Sequence, residues 1–411
     1  MTTIVTFLGN RGGLLTTYSY QDKNYTGGVF AEALRQFCEF DRMIVCVTER
    51  AKEKTWSVLE NLQDSRIQSL DIPTGQDTAE MWQTFEIISK EIHAGESVIF
   101  DITHGLRSLP FLVFLFAAYL KSAKNVSIKG IYYGALELKN SEGIAPVIDL
   151  SEFVSMIDWI TATTRFTEIG NGQALVDLLR REIPTGQELS QNPETRSIRD
   201  ALRDTSNAIE NISLSLSTTR PIEVMQSAAN LEFILGKSID AFSKKARPFQ
   251  LLTDRVLNEY GQFALQESKN REFILENLEI QKQTIEWYMQ RNYIVQAITL
   301  AREWVVSLFA YKFNVEMLDR DSREPIEKGL SLLTRKFAGK DISKENNIYI
   351  DDLGQFSNSR DIANLWAELG RLRNDLAHCG MNKQPMSSKK IQENAIAIIP
   401  ILSNIFVTLT K

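Results

Sequence analysis

Hydrophobic positions change their spacing once along this chain. Over roughly the first 150 residues they form short unbroken runs, at Thr3–Leu8, Met43–Val47, Ser97–Asp101 and Ser127–Tyr133. Such runs, apolar without alternation, predict parallel strands covered on both faces. Helical spacing lies between them, at Val29–Phe40, Lys54–Leu62, Ala79–Ile92 and Leu109–Lys121. Short stretches at Leu136–Leu138 and Val147–Leu150 are expected to close the sheet edge as a hairpin. From Glu152 onward strand patterns almost vanish. The spacing becomes helical, as in Leu175, Leu178 and Leu179, or Ile294, Ala297, Ile298, Ala301, Val305 and Leu308, and Pro184, Pro193, Pro221, Pro248 and Pro325 punctuate it. The polar stretch 340–358 reads as loop. The expected fold class is therefore α/β plus all-α: a mainly parallel sheet domain over residues 1–155, then a helical region over 156–411.

Composition narrows the function. The 411 residues carry 46 Lys and Arg against 52 Asp and Glu, a net charge of −6, which argues against a broad nucleic-acid-coating surface and leaves room for a local basic site. Cys38, Cys46 and Cys379 are too few and too scattered for a disulfide framework or a C-x-x-C zinc pair. The N-terminus lacks the features of a signal peptide. The apolar run Phe111–Leu120 is far short of the ~20 residues of a membrane span. The longer run Ile391–Leu409 is interrupted by Glu393, Asn394, Pro400 and Asn404 and is expected to be a buried helix. No membrane partner is expected, and the compartment reads as a reducing cytoplasm. Histidine chemistry must come from His93, His104 or His378. His93, before Gly95, reads as the end of a helix.

In open α/β sheets ligands bind beyond the C-terminal ends of the strands. Two loops stand there. One is Gly9-Asn10-Arg11-Gly12-Gly13. The other follows Asp101 as Ile102-Thr103-His104-Gly105-Leu106-Arg107-Ser108, before an apolar helix with Pro110 in its first turn. Free N–H groups at a helix start favour anions. A glycine allows close backbone approach, and a guanidinium can fork onto phosphate. The set suits a phosphate-bearing ligand, although neither a Walker loop nor G-x-G-x-x-G is present. A plainer reading makes Thr103 and Ser108 helix caps and His104 a satisfied loop residue.

Asp101-Ile102-Thr103-His104-Gly105 resembles the D-x-T-H-G signature of the CRISPR-associated DxTHG-motif proteins, and it stands after a strand and before an apolar helix as in that family. The opening strand ending in Phe7-Leu8-Gly9, and Tyr133-Gly134-Ala135-Leu136-Glu137 after a later strand, are similar to the family as well. The resemblance implies a Rossmann-like CARF sensor domain that dimerises and binds cyclic oligoadenylate, with cyclic tetra-adenylate favoured. It places Gly9, Asn10, Arg11, Thr103, His104, Gly105 and Arg107 near that ligand. Asn10 and Arg11 are weaker carry-overs, because the family's first loop varies.

A second motif lies in Arg371-Leu372-Arg373-Asn374-Asp375-Leu376-Ala377-His378-Cys379-Gly380. Ile362, Leu365, Leu369, Leu372 and Leu376 form an apolar stripe that makes the segment helical, and Gly380 can stop it. The R-x4-H pattern, with Asn374 inside it, resembles the catalytic motif of HEPN ribonucleases. That likeness implies metal-independent RNA cleavage through the 2′-hydroxyl. An imidazole would move protons and a guanidinium would stabilise the phosphorane-like charge, leaving a 2′,3′-cyclic phosphate. Residues five apart differ by ~140° around a helix. Arg373, chosen by the family pattern, therefore does not share a face with His378, whereas Asn374 and Arg371 do. The plainer reading pairs the arginines with Asp375 or Glu368 and leaves His378 at the helix end. Glu303 is expected to pair with Arg302 or Arg373.

Together these readings predict a cytoplasmic, homodimeric or higher-order endoribonuclease of type III CRISPR defence. It needs no cofactor, is activated by cyclic oligoadenylate and cuts single-stranded RNA. Two alternatives stay open: a messenger-binding regulator without nuclease activity, and a ring nuclease acting through His104.

Overall fold

The computed structural model describes residues 1–10, 15–105, 108–192 and 195–410. The chain divides into two units, Met1–Asp158 and Trp159–Lys411.

In the first unit the apolar runs form the middle of one sheet. Its strands are β1 (Thr2–Phe7), β2 (Thr16–Tyr20), β3 (Lys23–Gly27), β4 (Arg42–Val47), β5 (Ile67–Asp71), β6 (Ser97–Asp101), β7 (Ser127–Gly134) and β8 (Ile144–Asp149). They lie in the order β3-β2-β8-β7-β6-β1-β4-β5. Pairings are parallel except β2 with β3 and β7 with β8. Alternate residues feed two cores. Ile4, Met43, Val45 and Val47 pack on one face with Phe30, Leu34 and Leu59. Val5, Phe7, Ile44 and Cys46 pack on the other with Ile88, Val113 and Phe116. Each such burial contributes about 1.5–3 kcal/mol, which explains why these strands have no polar face. The covering helices are α1 (Phe30–Phe37), α2 (Glu49–Lys54), α3 (Trp56–Glu60), α4 (Thr78–Glu91) and α5 (Leu109–Lys124).

Two local expectations are corrected. Leu136–Leu138 is a 3-10 turn in the connection from β7 to β8, which pair antiparallel as a hairpin but not at the sheet edge. β8 instead lies inside the sheet, flanked by the β2–β3 hairpin, whose polar sequence concealed it. The single helix expected at Lys54–Leu62 is broken at Thr55. This buried residue leaves helical geometry with φ −126°, and its hydroxyl donates to the Ala51 carbonyl (2.7 Å) and to the Gly9 carbonyl (3.0 Å).

The second unit is helical. It runs through α6 (Ser151–Ile169, in which the unit boundary falls), α7 (Gln173–Arg181), α8 (Gly186–Gln191), α9 (Thr195–Ser217), α10 (Pro221–Lys245), α11 (Arg247–Gln250), α12 (Thr253–Tyr260), α13 (Ile274–Gln290), α14 (Ile294–Lys312), α15 (Arg320–Phe337), α16 (Ile350–Gln355), α17 (Ser359–Ala377) and α18 (Ser388–Thr410). One core joins them, with Trp304, Tyr260, Tyr288, Phe166 and Phe242 fully buried. The mainly parallel sheet followed by an all-helical region is the fold class the sequence predicts.

The C-terminal run differs from expectation. α18 continues through Pro400 and buries one stripe, Ala395, Ile398, Leu402, Ile405 and Leu409, while Ile396 and Val407 face solvent. By length and apolarity α14 and α18 could each cross a membrane; α14 is mostly buried within the unit.

Candidate functional site

β1 is flanked by β4 on one side and β6 on the other, so the chain leaves it in opposite directions, the arrangement that opens a crevice at strand ends. A cavity of about 290 Å³ opens there. Its lining includes Gly9 and Asn10 after β1, Thr48 and Arg50 after β4, Thr74, Gly75 and Gln76 after β5, and Gly105 and Ser108 after β6.

Most side chains of the D-x-T-H-G segment turn inward and hold the loop. Asp101 is fully buried. It accepts from the Thr6 hydroxyl at 2.5 Å and from the Thr103 amide at 2.7 Å. Burial pushes its pKa up, opposed by neighbouring His104. The Thr103 hydroxyl accepts from the Gly134 amide at 2.8 Å, tying the β6 loop to the end of β7. Substituting Gly134 would drive a Cβ into Tyr18 and Phe30, at 2.8 and 2.9 Å. His104 Nε2 accepts from the Phe30 amide at 3.2 Å, at the first turn of α1. That bond puts the ring proton on Nδ1. Burial lowers the histidine's pKa, with Asp101 pulling the other way. Gly105 has φ +116°, and a Cβ there would meet Leu109 Cδ1 at 2.4 Å.

Of the residues expected at the ligand, Gly9, Asn10 and Gly105 line the cavity. Thr103 and His104 are occupied as struts, and neither is a helix cap in the sense expected of Thr103; Ser108 makes no side-chain cap bond either. Arg11 and Arg107 lie outside the described residues. Sequence reasoning missed Thr48, Arg50 and Thr74–Gln76. The rule that directed attention to the ends of β1 and β6 applies equally to β4 and β5, and the Pro73-Thr74-Gly75 turn would have flagged the latter. Glu80 holds that turn, accepting from the Gly75 amide (2.7 Å), the Gln76 amide (3.0 Å) and the Thr74 hydroxyl (3.0 Å).

In the helical unit α17 ends at His378, the first residue past its last turn. Cys379 (φ 52°) and Gly380 (φ 68°) reverse the chain in left-handed conformations, and the Gly380 amide donates to the Asp375 carbonyl at 3.0 Å. An open cleft of about 570 Å³ is lined by Arg371, Asn374, Asp375, His378, Met381, Asn382, Gln384 and Met386. The structure thus brings Arg371, Asn374 and His378 together and leaves Arg373, exposed on another face of α17, out of the cleft. Arg371 is engaged: its Nε and one terminal nitrogen donate to the two oxygens of Glu368, at 3.0 and 2.7 Å. Glu368 holds the Arg371 guanidinium charged, above its ordinary pKa. Asp375 accepts from Asn382 at 2.9 Å, a cleft residue the sequence did not single out.

Glu303 pairs with Arg323 at 2.7 Å, not with Arg302 or Arg373. Arg302 instead lies over the Trp366 ring at 4.0 Å and reaches Glu327 at 3.7 Å, the packing an arginine stem and a flat guanidinium allow. His93 follows the end of α4, and its amide donates to Glu96. Among the described residues no group of three or more His, Cys, Asp or Glu side chains is gathered to hold a metal ion.

Residues 155–268 match the family described as CRISPR-associated protein MJ1674, second domain. Over 114 residues the chain is 36% identical to CRISPR-associated protein MJ1674 of Methanocaldococcus jannaschii, covering 27% of this chain and 18% of that protein. This stretch of the chain is similar to one domain of a CRISPR-associated protein. The CRISPR-associated resemblance read from the D-x-T-H-G motif is supported by a stretch that does not contain it: the match runs from within α6 to beyond α12, and neither motif lies within it. The match accounts for less than a fifth of the curated relative's length. Among solved structures, Enterococcus italicus Csm6 bound to cyclic hexa-2′-fluoro-hexa-dAMP aligns over 100% of this chain and 94% of that one, at 12% identity and a TM-score of 0.43.

Proposed function

We propose that this CRISPR-associated protein is a homodimeric, cytoplasmic endoribonuclease, switched on by cyclic oligoadenylate in the sheet unit and cutting single-stranded RNA in the helical unit. The observation that carries the reading is the cleft at the end of α17, where His378 shares an open surface with Arg371 and Asn374. An RNA phosphate seated there would meet a guanidinium able to stabilise its developing charge and an amide able to donate to its oxygens. His378 would take the proton of the 2′-hydroxyl or give one to the departing 5′-oxygen. The attack breaks the P–O5′ bond and leaves a 2′,3′-cyclic phosphate; no step calls on a metal. Arg373 is exposed on another face of α17, outside this cleft, and would have to serve a second protomer's.

In the sheet unit the crevice at the ends of β1, β4, β5 and β6 supports messenger binding. It offers backbone at Gly9 and Gly105, hydroxyls at Thr48 and Thr74, and a cation at Arg50. Since His104 Nε2 is committed to the Phe30 amide, binding is favoured there over ring opening by this histidine. A second reading, a messenger-binding regulator without nuclease activity, is favoured by the closure of Arg371 onto Glu368.

The test uses full-length protein and labelled single-stranded RNA, with and without cyclic tetra- and hexa-adenylate. We expect activator-dependent cleavage to 2′,3′-cyclic phosphate ends, and a loss of about 10²-fold or more in His378→Ala and Arg371→Ala. Tight messenger binding with no cleavage under either ligand selects the regulator reading, and undiminished cleavage by His378→Ala removes that residue from the mechanism.

A further inference from the structure

Arg371 carries two relationships at once. It lines the His378 cleft, and it also lines an adjoining groove between α17 and α18, with Asn364, Glu368, Lys390, Asn394 and Ile401. Its Nε and terminal nitrogen face Glu368 as a two-pronged fork. That edge is the one a guanidinium uses to grip a phosphate. The carboxylate does not depend on Arg371 for its place. Asn394, on α18, donates to the same Glu368 oxygen at 2.9 Å, so Glu368 is tethered from a second helix and would stay if Arg371 swung away.

We propose that Glu368 is a brake on the nuclease cleft, holding the fork edge of Arg371 until an RNA phosphate displaces it. The proposal rests on the ribonuclease reading above and supplies its regulation. Charge in the cleft supports it. Arg371 and Asp375 among the lining residues cancel, as do Glu368 and Lys390 in the adjoining groove, and Arg371 is itself paired with Glu368. A polyanion entering the resting cleft finds no uncompensated cation there. The pair is partly exposed, its side chains 53% and 30% accessible, so the brake is shallow and reversible. An exposed ion pair of this kind changes an equilibrium by about two- to fivefold.

The experiment compares wild-type full-length protein with Glu368→Gln, which keeps the side chain's shape and removes its charge. The first readout is binding of a fully 2′-O-methylated RNA, which cannot be cut, by fluorescence anisotropy across a salt series. Glu368→Gln should bind about two- to fivefold tighter, with a log–log salt slope steeper by ~0.7, the increment of one extra phosphate contact on a single strand. The second is activator-free cleavage of unmodified RNA, which should rise by a similar factor through KM with kcat held. Unchanged or weaker RNA binding in Glu368→Gln overturns the brake; weaker binding would mean that Glu368 merely orients Arg371. No RNA binding by either protein overturns it too. If wild type with activator cuts no RNA, the ribonuclease reading fails, and the uncuttable RNA still decides whether Glu368 restrains Arg371.

Discussion

At the scale of single residues, His104 is the most informative. A histidine in the motif beside a crevice at the strand ends invites a catalytic role, yet its Nε2 accepts the Phe30 amide and its pKa is lowered by burial. Protonation would cost that bond and place a cation at the start of α1, where the helix dipole is positive. The sign follows. The native state resists a proton that the unfolded chain accepts near 6.5, so stability falls as pH drops from 6.5 toward the lowered native value. Asp101, raised by burial, acts oppositely: its contribution is present below 3.8 and lost as pH rises through its raised value. His104→Asn keeps an acceptor for the Phe30 amide without the titration. Its melting temperature should therefore drop less than wild type's between pH 7.5 and 5.5. His104→Ala should lose about 1–3 kcal/mol at neutral pH, because it strands a backbone donor. Matching pH profiles for wild type and His104→Asn, followed by thermal melts, would sink this account. The sequence displayed the residue and its neighbourhood. It could not display the partner, 74 positions away, that turns a candidate acid–base group into a strut.

At the scale of elements, legibility tracked burial on both faces. β1, β4, β6 and β7 were visible because unbroken apolar runs have no other use in a short strand. The β2–β3 hairpin and the edge strand β5 were not, since half-exposed strands such as Lys-Asn-Tyr-Thr-Gly share their composition with loops. The missed β5 also hid the Thr74–Gln76 wall of the cavity. The two loops that the sequence singled out differ in how tightly they are built. A Cβ at Gly9 would meet its neighbours at 3.8 Å, an ordinary contact, whereas one at Gly105 would strike Leu109 at 2.4 Å with φ at +116°. Gly9→Ala should therefore fold and bind messenger within a few-fold of wild type. Gly105→Ala should lose about 1–3 kcal/mol of stability and most of its messenger affinity, as the β6 loop and the start of α5 are pushed apart. Calorimetric titration with cyclic oligoadenylate alongside chemical denaturation checks both. A Gly9→Ala protein as damaged as Gly105→Ala would show that contact distance does not govern these loops. For the second motif, helix geometry alone separated Arg371 from Arg373, because a regular 3.6-residue period survives almost to His378.

At the scale of the whole molecule, the open question is what covers α5. Phe111, Leu115 and Tyr119 recur every four residues along it and are 69%, 44% and 43% exposed, and Trp82 on α4 is 62% exposed. Residues one turn apart line up as a stripe, and an exposed apolar stripe marks a contact surface. The same helix buries Val113 and Phe116 against the sheet and lends Leu109 and Leu112 to the cavity at the strand ends. A second copy docked along the stripe would thus set two cavities close together, as a cyclic ligand with repeated nucleotides requires of a homodimer. The sequence showed α5 as apolar throughout and so could not say which side lacked a partner; only the burial of its other face does. Phe111→Glu combined with Leu115→Lys should leave the fold intact, since neither side chain is in the core, and convert the protein to a monomer in sedimentation velocity. Messenger affinity should fall at least tenfold, and activator-dependent RNA cleavage should fall with it. A double variant that stays dimeric, or a monomer that still binds messenger at wild-type affinity, would move the dimer contact, or the ligand, away from α5.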